Sequence, residues 1–493
     1  MTGMQYPRTA PAAMLAFACA LSLGGCAVGP DFARPTAPAA TRYTHDTLHA
    51  EGAAQNDSMQ HLALGAEIEG NWWTLFHSDA INQLVAQALE HNRSLAAAMA
   101  TLAQAQEFAL ARAGSQYPRV DLTAGSGRQQ YGKEFLGPIG IPPFTYFAIG
   151  PTVSYTLDYT GGVARGVEQQ YALAEAQQHQ RDAAYLTVTG QAVMQTLMIA
   201  SVRAQIDTVE TILLQDRDNL RLVRSAFENG SVAREDVVSA QSQVANDMTL
   251  LPPLRQELAR AHHALSVVLG RAPANELPED VDLAQITLPL QVPVSLPSEL
   301  AHRRPDILAA EARLHAATSA VGVAQSNLYP KIQLSASVGQ QSLKADQLFD
   351  RANNAWSIAA GLTAPIFDGG TLRAEKRAAV DAMRASAASY EQTVLEAFAQ
   401  VADLLEGLDH DAEQLDAQDH AQHAALSSLE LARISYKEGN VGVLQVLDAE
   451  RSYQQARLGY VRAVAQRYLD TVQLFLALGG TSPGARGEPP HVL

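Results

Sequence analysis

The chain is short of cysteine, of charge and of aromatic residues, and each shortage excludes something. Among 493 residues only Cys19 and Cys26 are cysteines, both near the N-terminus, so no disulfide framework braces the body of the chain. Charged residues make up 17%, below the ~25% usual for soluble globular chains. The balance is acidic, a formal −16 at pH 7, which argues against nucleic acid as a partner. Beyond the N-terminus no apolar run reaches the ~18 residues of a transmembrane helix. The histidines lack metal-ligand spacing: His262 and His263 are adjacent and would point to different sides of a helix. Nucleophile elbows, phosphate-cradling glycine loops and Cys/His pairs are missing too. An enzyme is therefore the least expected reading, and no cofactor or metal is implied.

Proline is missing where it matters most. None falls between Pro38 and Pro118, between Pro151 and Pro252, or between Pro365 and Pro483. Proline is expelled from helix interiors because it lacks the N–H and clashes with the preceding turn. Those blocks are rich in Ala, Leu, Gln, Glu and Arg, all good helix formers. The stretches Gly162 to Glu228 and Gly370 to Glu438 read as helices, each roughly 100 Å long at 1.5 Å per residue. Such lengths imply coiled-coil or tube packing rather than a globular core. Gly230 and Gly439 read as left-handed caps of these helices. Ser231 and Asn440 follow as N-caps of return helices running to about Gly270 and Leu478.

What the chain does have is itself, twice. Leu95–Gly127 reappears as Ile307–Gly339, with Tyr117-Pro118 recurring as Tyr329-Pro330 at an offset of 212. Gly161-Gly162 maps on Gly369-Gly370 at 208, and FENGSVAREDVVSAQ from Phe227 maps on YKEGNVGVLQVLDAE from Tyr436 at 209. The spacing makes the hairpin connection four residues shorter in the second copy. The duplication divides the chain into a leader, 1–25; an extended segment, 26–70; a first repeat, 71–294; a second, 295–479; and a tail, 480–493.

Four short segments alternate with period two: Arg119–Ser126, Thr152–Asp158, Lys331–Gly339 and Trp356–Ile366. Alternation over ~10 residues is the pattern of a transmembrane β-strand, with one lipid face and one wet face. Four strands cannot close a barrel, and an open edge cannot sit in lipid. Other copies of the chain must close it by cyclic association; this arithmetic allows a trimer or a tetramer. The loop Gly132–Phe147 would lie outside the cell.

At the N-terminus Arg8 precedes the apolar run AAMLAFACALSLGG and then Cys26, the layout of a secretory signal. Leu23-Gly24-Gly25-Cys26 resembles a bacterial lipobox, which makes Cys26 the acyl acceptor. Acyl chains anchor a protein without spanning the membrane.

Together CAVGPDFARP, WWTLFHSDAINQLVAQAL, LPSELAHRRPDILAAEARLHAA, PIFDGGTLRAE and YKEGNVGVLQVLDAERSYQQA resemble the TolC-type outer-membrane efflux ducts, in the lipoprotein branch of OprM-like and NodT-like proteins. That resemblance implies an α+β membrane fold. A homotrimer would form a 12-stranded transmembrane β-barrel, continued by a 12-helix periplasmic α-barrel. Four strands and long helical hairpins would come from each chain. It implies a passive exit duct in the outer membrane, held in lipid by Cys26. Its partners would be a periplasmic adaptor and an inner-membrane transporter of the RND type. By motif position Asp236, Tyr436, Gln445 and Asp448 fall at the periplasmic gate, and Gly230, Ser231, Gly439 and Asn440 at the adaptor-docking tip. The chain departs from some members at Val441, where they carry a basic latch residue, and at Gln445, where they carry an acidic one. Asp236, beside Glu235, is equally placed as a first-turn partner of the helix dipole. The competing readings are the exit channel of a protein-secretion system and a coiled-coil scaffold lipoprotein with no pore.

Overall fold

The computed structural model describes residues 27–36, 40, 42–45, 60–66, 68, 70–132, 141–275 and 280–479. The leader, Cys26 and the tail 480–493 lie outside them. The described residues form six strands: β1 (His61–Leu64), β2 (Arg119–Gln129), β3 (Phe144–Leu157), β4 (Gln291–Val294), β5 (Lys331–Ser342) and β6 (Asn354–Thr363). The α-helices are α1 (Asp79–His91), α2 (Arg93–Ala113), α3 (Gly162–Glu228), α4 (Arg234–Met248), α5 (Leu251–Val268), α6 (Pro297–Leu300), α7 (Pro305–Ser326), α8 (Thr371–Lys437) and α9 (Val443–Ala477). Contacts divide the chain into two compact units.

One unit holds 102–176 and 310–390 with the N-terminal residues up to Arg34. Its sheet is antiparallel in the order β2-β3-β5-β6. The register pairs Arg119 with Ser154, Ser154 with Ser335, and Lys331 with Thr363. Large apolar side chains stand out of it: Trp356 is 76% exposed, Ile358 78% and Leu122 74%. Water-soluble monomers rarely expose so many neighbouring large apolar side chains; such a face meets lipid or another protein. Among the described residues β2 and β6 each pair on one side only. Strand β3 starts at Phe144, earlier than the expected Thr152, because its ladder with β2 runs on to Gln129–Phe144. The expected outer loop therefore loses Phe144–Phe147 to the sheet. At the other end β6 stops at Thr363, short of the expected Ile366; Pro365, with no N–H to give, follows.

Residues 27–34 run without regular structure along α3 and α7. Val28 N–H donates to Thr160 O at 2.9 Å. Arg165, only 7% exposed, pairs with Asp31 and with Glu168. Arg34 meets Glu311 at 2.6 Å, and Phe32 stacks on His315 at 4.4 Å.

Residues 35–101, 177–309 and 391–493 form the other unit. Its core threads the long helices: Val202, Ile206, Val209 and Leu213 of α3 pack with Leu254 of α5 and Leu458 of α9. A second core gathers around a short 3-10 helix, Trp72–Phe76. Trp72, Phe76 and Phe475 are fully buried there, and Tyr468 stacks on Phe76 at 6.4 Å. Strand β1 lies parallel to β4, His61 against Gln291 through Leu64 against Val294. The segment expected to be merely extended thus carries a strand.

The repeats keep time closely. Helices α3 and α8 are both 67 residues long, and their ends are displaced by 209. The first strands, Arg119 and Lys331, are displaced by 212. The second copy's hairpin connection is thus three residues shorter, not four. The 209 displacement of the helices places Gly161 opposite Gly370, whereas simple motif matching pairs Gly161 with Gly369; all three have positive φ. The return arms differ. Helix α9 is continuous for 35 residues, whereas the first copy's return breaks at Thr249–Leu250 into α4 and α5. The single return helix expected to Gly270 is therefore corrected. Pro252 and Pro253 sit in the first turn of α5, where the missing N–H groups would otherwise have bonded back into α4.

Candidate functional site

The two hairpin turns are built alike. Just past the end of α3 stands Gly230 at φ 73°, and just past the end of α8 Gly439 at φ 77°. Gly230 N–H donates to Phe227 O and Ser231 N–H to Ala226 O, at 2.8 and 2.9 Å. Gly439 N–H donates to Tyr436 O and Asn440 N–H to Ser435 O, at 3.0 and 2.9 Å. This pair of bonds closes the orphan carbonyls of a helix C-terminus. Ser231 and Asn440 are therefore committed to finishing the outgoing helices. The residues that open the return helices are Ala233 and Gly442, which corrects the expected N-caps. Side-chain chemistry pointed to Ser and Asn, but the turn had already used their backbone.

Asp236 is drawn into this local work. Its Oδ2 accepts from Ala233 N–H at 3.0 Å, the half of a capping box that reaches back from the first turn. Gln445 and Asp448 share a groove of about 410 Å³ with Ser239, Gln243, Leu444, Leu447 and Arg451. Asp448 is exposed and pairs with Arg451 one turn on. Tyr436 is half-exposed at the end of α8 and does not line the groove. Of the four gate candidates, then, the structure brings two together.

Sequence reasoning missed a buried carboxylate farther along α9. Glu450 of α9 is 1% exposed, and both its oxygens receive Arg433 of α8, at 3.1 and 2.9 Å. Asn219 of α3 donates to it as well, at 3.1 Å. One carboxylate thus fastens three helices. Nearby, Gln454 donates to Asp216 at 2.9 Å, and Gln243 donates to Asp247 at 2.8 Å. Burial, and then a hydrogen bond from Asp247, push the Asp216 carboxyl up to about 7. A proton shared between two acids relieves the repulsion of like charges in low dielectric.

The second copy has its own acid pair. Burial, and then a hydrogen bond from Asp470, push Asp411 up to about 7, against the opposing charges of Arg467 and His410. Arg467 donates to Gln60 at 3.1 Å, and Gln60 donates to Thr471 and Pro289 O. The pairs are not equivalent. Displaced by 209, Asp216 and Asp247 meet Ala425 and Ala456, while Asp411 and Asp470 meet Val202 and Ala261. That apolar counterpart is the one signal by which the sequence could have exposed them.

These elements can clamp helices and line a polar path, but they offer no nucleophile beside a base. Among the described residues no group of three metal-ligating side chains converges.

The family model described as outer membrane efflux protein matches residues 84–271 and 296–480. The chain is similar to the solvent efflux pump outer membrane protein SrpC of Pseudomonas putida, 28% identical over 93% of this chain and 96% of that protein. It is 30% identical to the pyoverdine export outer membrane protein OpmQ of Pseudomonas putida, over 83% of this chain and 87% of the other. A solved structure of the outer-membrane channel OprN superposes with a TM-score of 0.83 at 29% identity, covering 93% of this chain and 100% of that one.

Proposed function

The chain belongs to the outer membrane efflux protein family, and from that premise we propose that three copies close into a continuous exit duct fed by a tripartite pump. It is an outer-membrane efflux channel with a periplasmic extension. Its family is one of channels rather than enzymes. In the proposed assembly, β2, β3, β5 and β6 of three chains make a 12-stranded barrel in lipid. The paired long hairpins make a 12-helix periplasmic barrel. The observation that carries this reading is the four-stranded sheet, open at β2 and β6 and apolar on its outer face. Lipid accepts that face but not open edges, so neighbouring copies close them. Cys26 carries the acyl anchor.

Purified protein is expected to run as an SDS-resistant, heat-dissociable trimer and to conduct in planar bilayers. A pore-free scaffold gives neither signal, so absence of both would sink the duct. The relatives named for solvent and for pyoverdine are about equally similar to this chain. Cargo choice accordingly belongs to the inner-membrane transporter, of the RND type, and the duct conducts small molecules passively.

The turns at Gly230, Ser231, Gly439 and Asn440 are the adaptor-docking tip. Photo-crosslinkers at Ser231 and Asn440 are expected to capture a periplasmic adaptor in cells; products containing only the duct would remove this assignment. Gln445 and Asp448 line the constriction, with Tyr436 and Asp236 shaping the turns beside it. Three Asp448 carboxylates around an axis favour cations, and each faces Arg451. Asp448→Asn leaves the arginines unopposed and is expected to lower, or reverse, cation selectivity in single-channel recordings. Reversal potentials equal to the parent's would place Asp448 off the conduction path.

A further inference from the structure

The duplication provides a template for a contact that a single chain cannot show. Within the chain, the second strand of the first copy, β3, pairs with the first strand of the second copy, β5. The helix that follows β3, α3, lies against the helix that precedes β5, α7. In a ring of copies the same relation recurs once more. Strand β6 and helix α8, which end the second copy's barrel segment, meet β2 and helix α2 of the next chain. The displacements are fixed by the ladders. The first-strand pairs Arg119–Ser154 and Lys331–Thr363 set 212 for β2 to β5 and 209 for β3 to β6. Helices α3 and α8 keep 209.

Applied to the helical contact, these displacements give three levels, and at each the partners exchange character. At the first level the in-chain contact sets Gly162 on α3 against Ser326 on α7, with no room for a Cβ between them. Its counterpart sets Thr371 against Gly114, so the glycine has changed sides and the hydroxyl has too. A Cβ on Gly114 would meet nothing within 4 Å in one chain, so space is waiting there. At the second level Arg165 lies over Gly322, where a Cβ would stand 2.8 Å from Arg165 Cγ. Its counterpart sets Ala374 against Leu110, which is 56% exposed. Again large and small have traded places. At the third level Glu168 meets His315 Nε2 at 2.9 Å, and Ser319, one turn on from His315, donates to His315 O. Its counterpart sets Arg377 against Glu107 and Ala103. The acid has moved from one helix to the other, and a cation has replaced it.

Charge agrees with this placement. Arg373, Lys376, Arg377 and Arg384 line a groove of about 610 Å³ with Asp381 as its one acid. Asp381 is already engaged with Arg384 at 3.0 Å. In a chain of net −16 such a cluster needs an anionic partner, and Glu107 is exposed on α2. Opposite charges across an interface fix register more than they add affinity.

Resting on the trimeric reading above, we infer that the seam between copies repeats the seam inside the chain: α8 lies along α2 of the partner subunit with Arg377 on its Glu107, and Thr363 of β6 stands opposite its Thr123. The site is an interface, and its occupant is a second copy of this chain. The strand register follows from Ser154 opposite Ser335 by the same two displacements. Directly opposed residues on antiparallel strands lie about 4.5–5.5 Å apart at Cα, within reach of a disulfide.

The test uses the full-length protein in outer membranes. Thr123→Cys with Thr363→Cys is expected to give reducible dimer and trimer bands on non-reducing gels, and neither single variant should. Thr123→Cys with Gly361→Cys, two residues away on the same face, should give far less. Arg377→Glu is expected to dissociate as a trimer at a temperature several degrees lower, and adding Glu107→Arg should restore most of the loss. A trimer that links through Gly361 in preference to Thr363, or whose Arg377→Glu defect is untouched by Glu107→Arg, overturns this register and leaves the trimer standing. Failure of the unaltered protein to form any SDS-resistant trimer overturns both.

Discussion

Trp72→Ala is expected to lower the stability of its unit by about 3–5 kcal/mol, the usual cost of emptying a fully buried aromatic site. Trp72 has no exposed surface. Its ring meets Trp73 at 5.9 Å, Phe76 at 6.5 Å and Phe475 at 5.7 Å. The indole N–H has no partner, so the loss is one of packing and not of a hydrogen bond. The cavity would open beneath α9, because Phe475 is itself fully buried there. The helix-rich unit of a detergent-purified sample should become sensitive to protease at far lower urea. Trp72→Phe, which keeps most of the ring volume, should recover more than half of the difference. A Trp72→Ala protein with the parent's protease profile would show that this aromatic cluster does not hold the N-terminal segment in place.

Asp216→Asn is expected to act in the opposite direction, and only above mildly acidic pH. The folded Asp216 carboxyl sits at about 7, against about 3.9 for an unfolded aspartate. The folded state therefore holds its proton more tightly. Near pH 4 and below, the acid is neutral in both states and costs little. As pH rises from about 4 to about 7 the unfolded chain releases its proton freely while the folded one resists, so stability falls across that window and is level above it. Three units correspond to about 4 kcal/mol as a ceiling. Asparagine keeps an acceptor for Gln454 and removes the repulsion from Asp247 and Glu450. Melting curves at pH 5 and pH 8 should therefore converge in Asp216→Asn and differ in the parent. Equal slopes in the two proteins would mean that the pair does not titrate in this range. Asp411→Asn is the matching experiment for the other hairpin.

Much of this architecture was legible because it is local and repeated. Proline-free blocks bounded by glycine marked α3 and α8 to within a residue, since helix interiors exclude one residue type and helix ends favour the other. The alternating strands were legible for the same reason. What escaped depends on partners distant in sequence. Strand β1 has four residues, and its mate lies more than two hundred residues away; neither segment alone carries a strand pattern. Glu450, Asp216 and Asp411 left no local mark in the sequence, because a single helix does not announce which of its polar residues another helix will cover. Ser231 and Asn440 misled through their side chains, while the turn selected their backbone N–H groups. The break before Pro252 was visible as a letter but was overridden by the length of the pattern around it.

That break makes the two hairpins mechanically unlike. Helix α9 is a single rod of 35 residues, and a rod carries a bending moment along its whole length. Helices α4 and α5, of 15 and 18 residues, meet at Thr249–Leu250, where the two prolines leave fewer backbone hydrogen bonds to resist bending. Under equal loads on the two turns the α3–α4 arm would therefore yield first at that junction, while the α8–α9 arm would move as one piece.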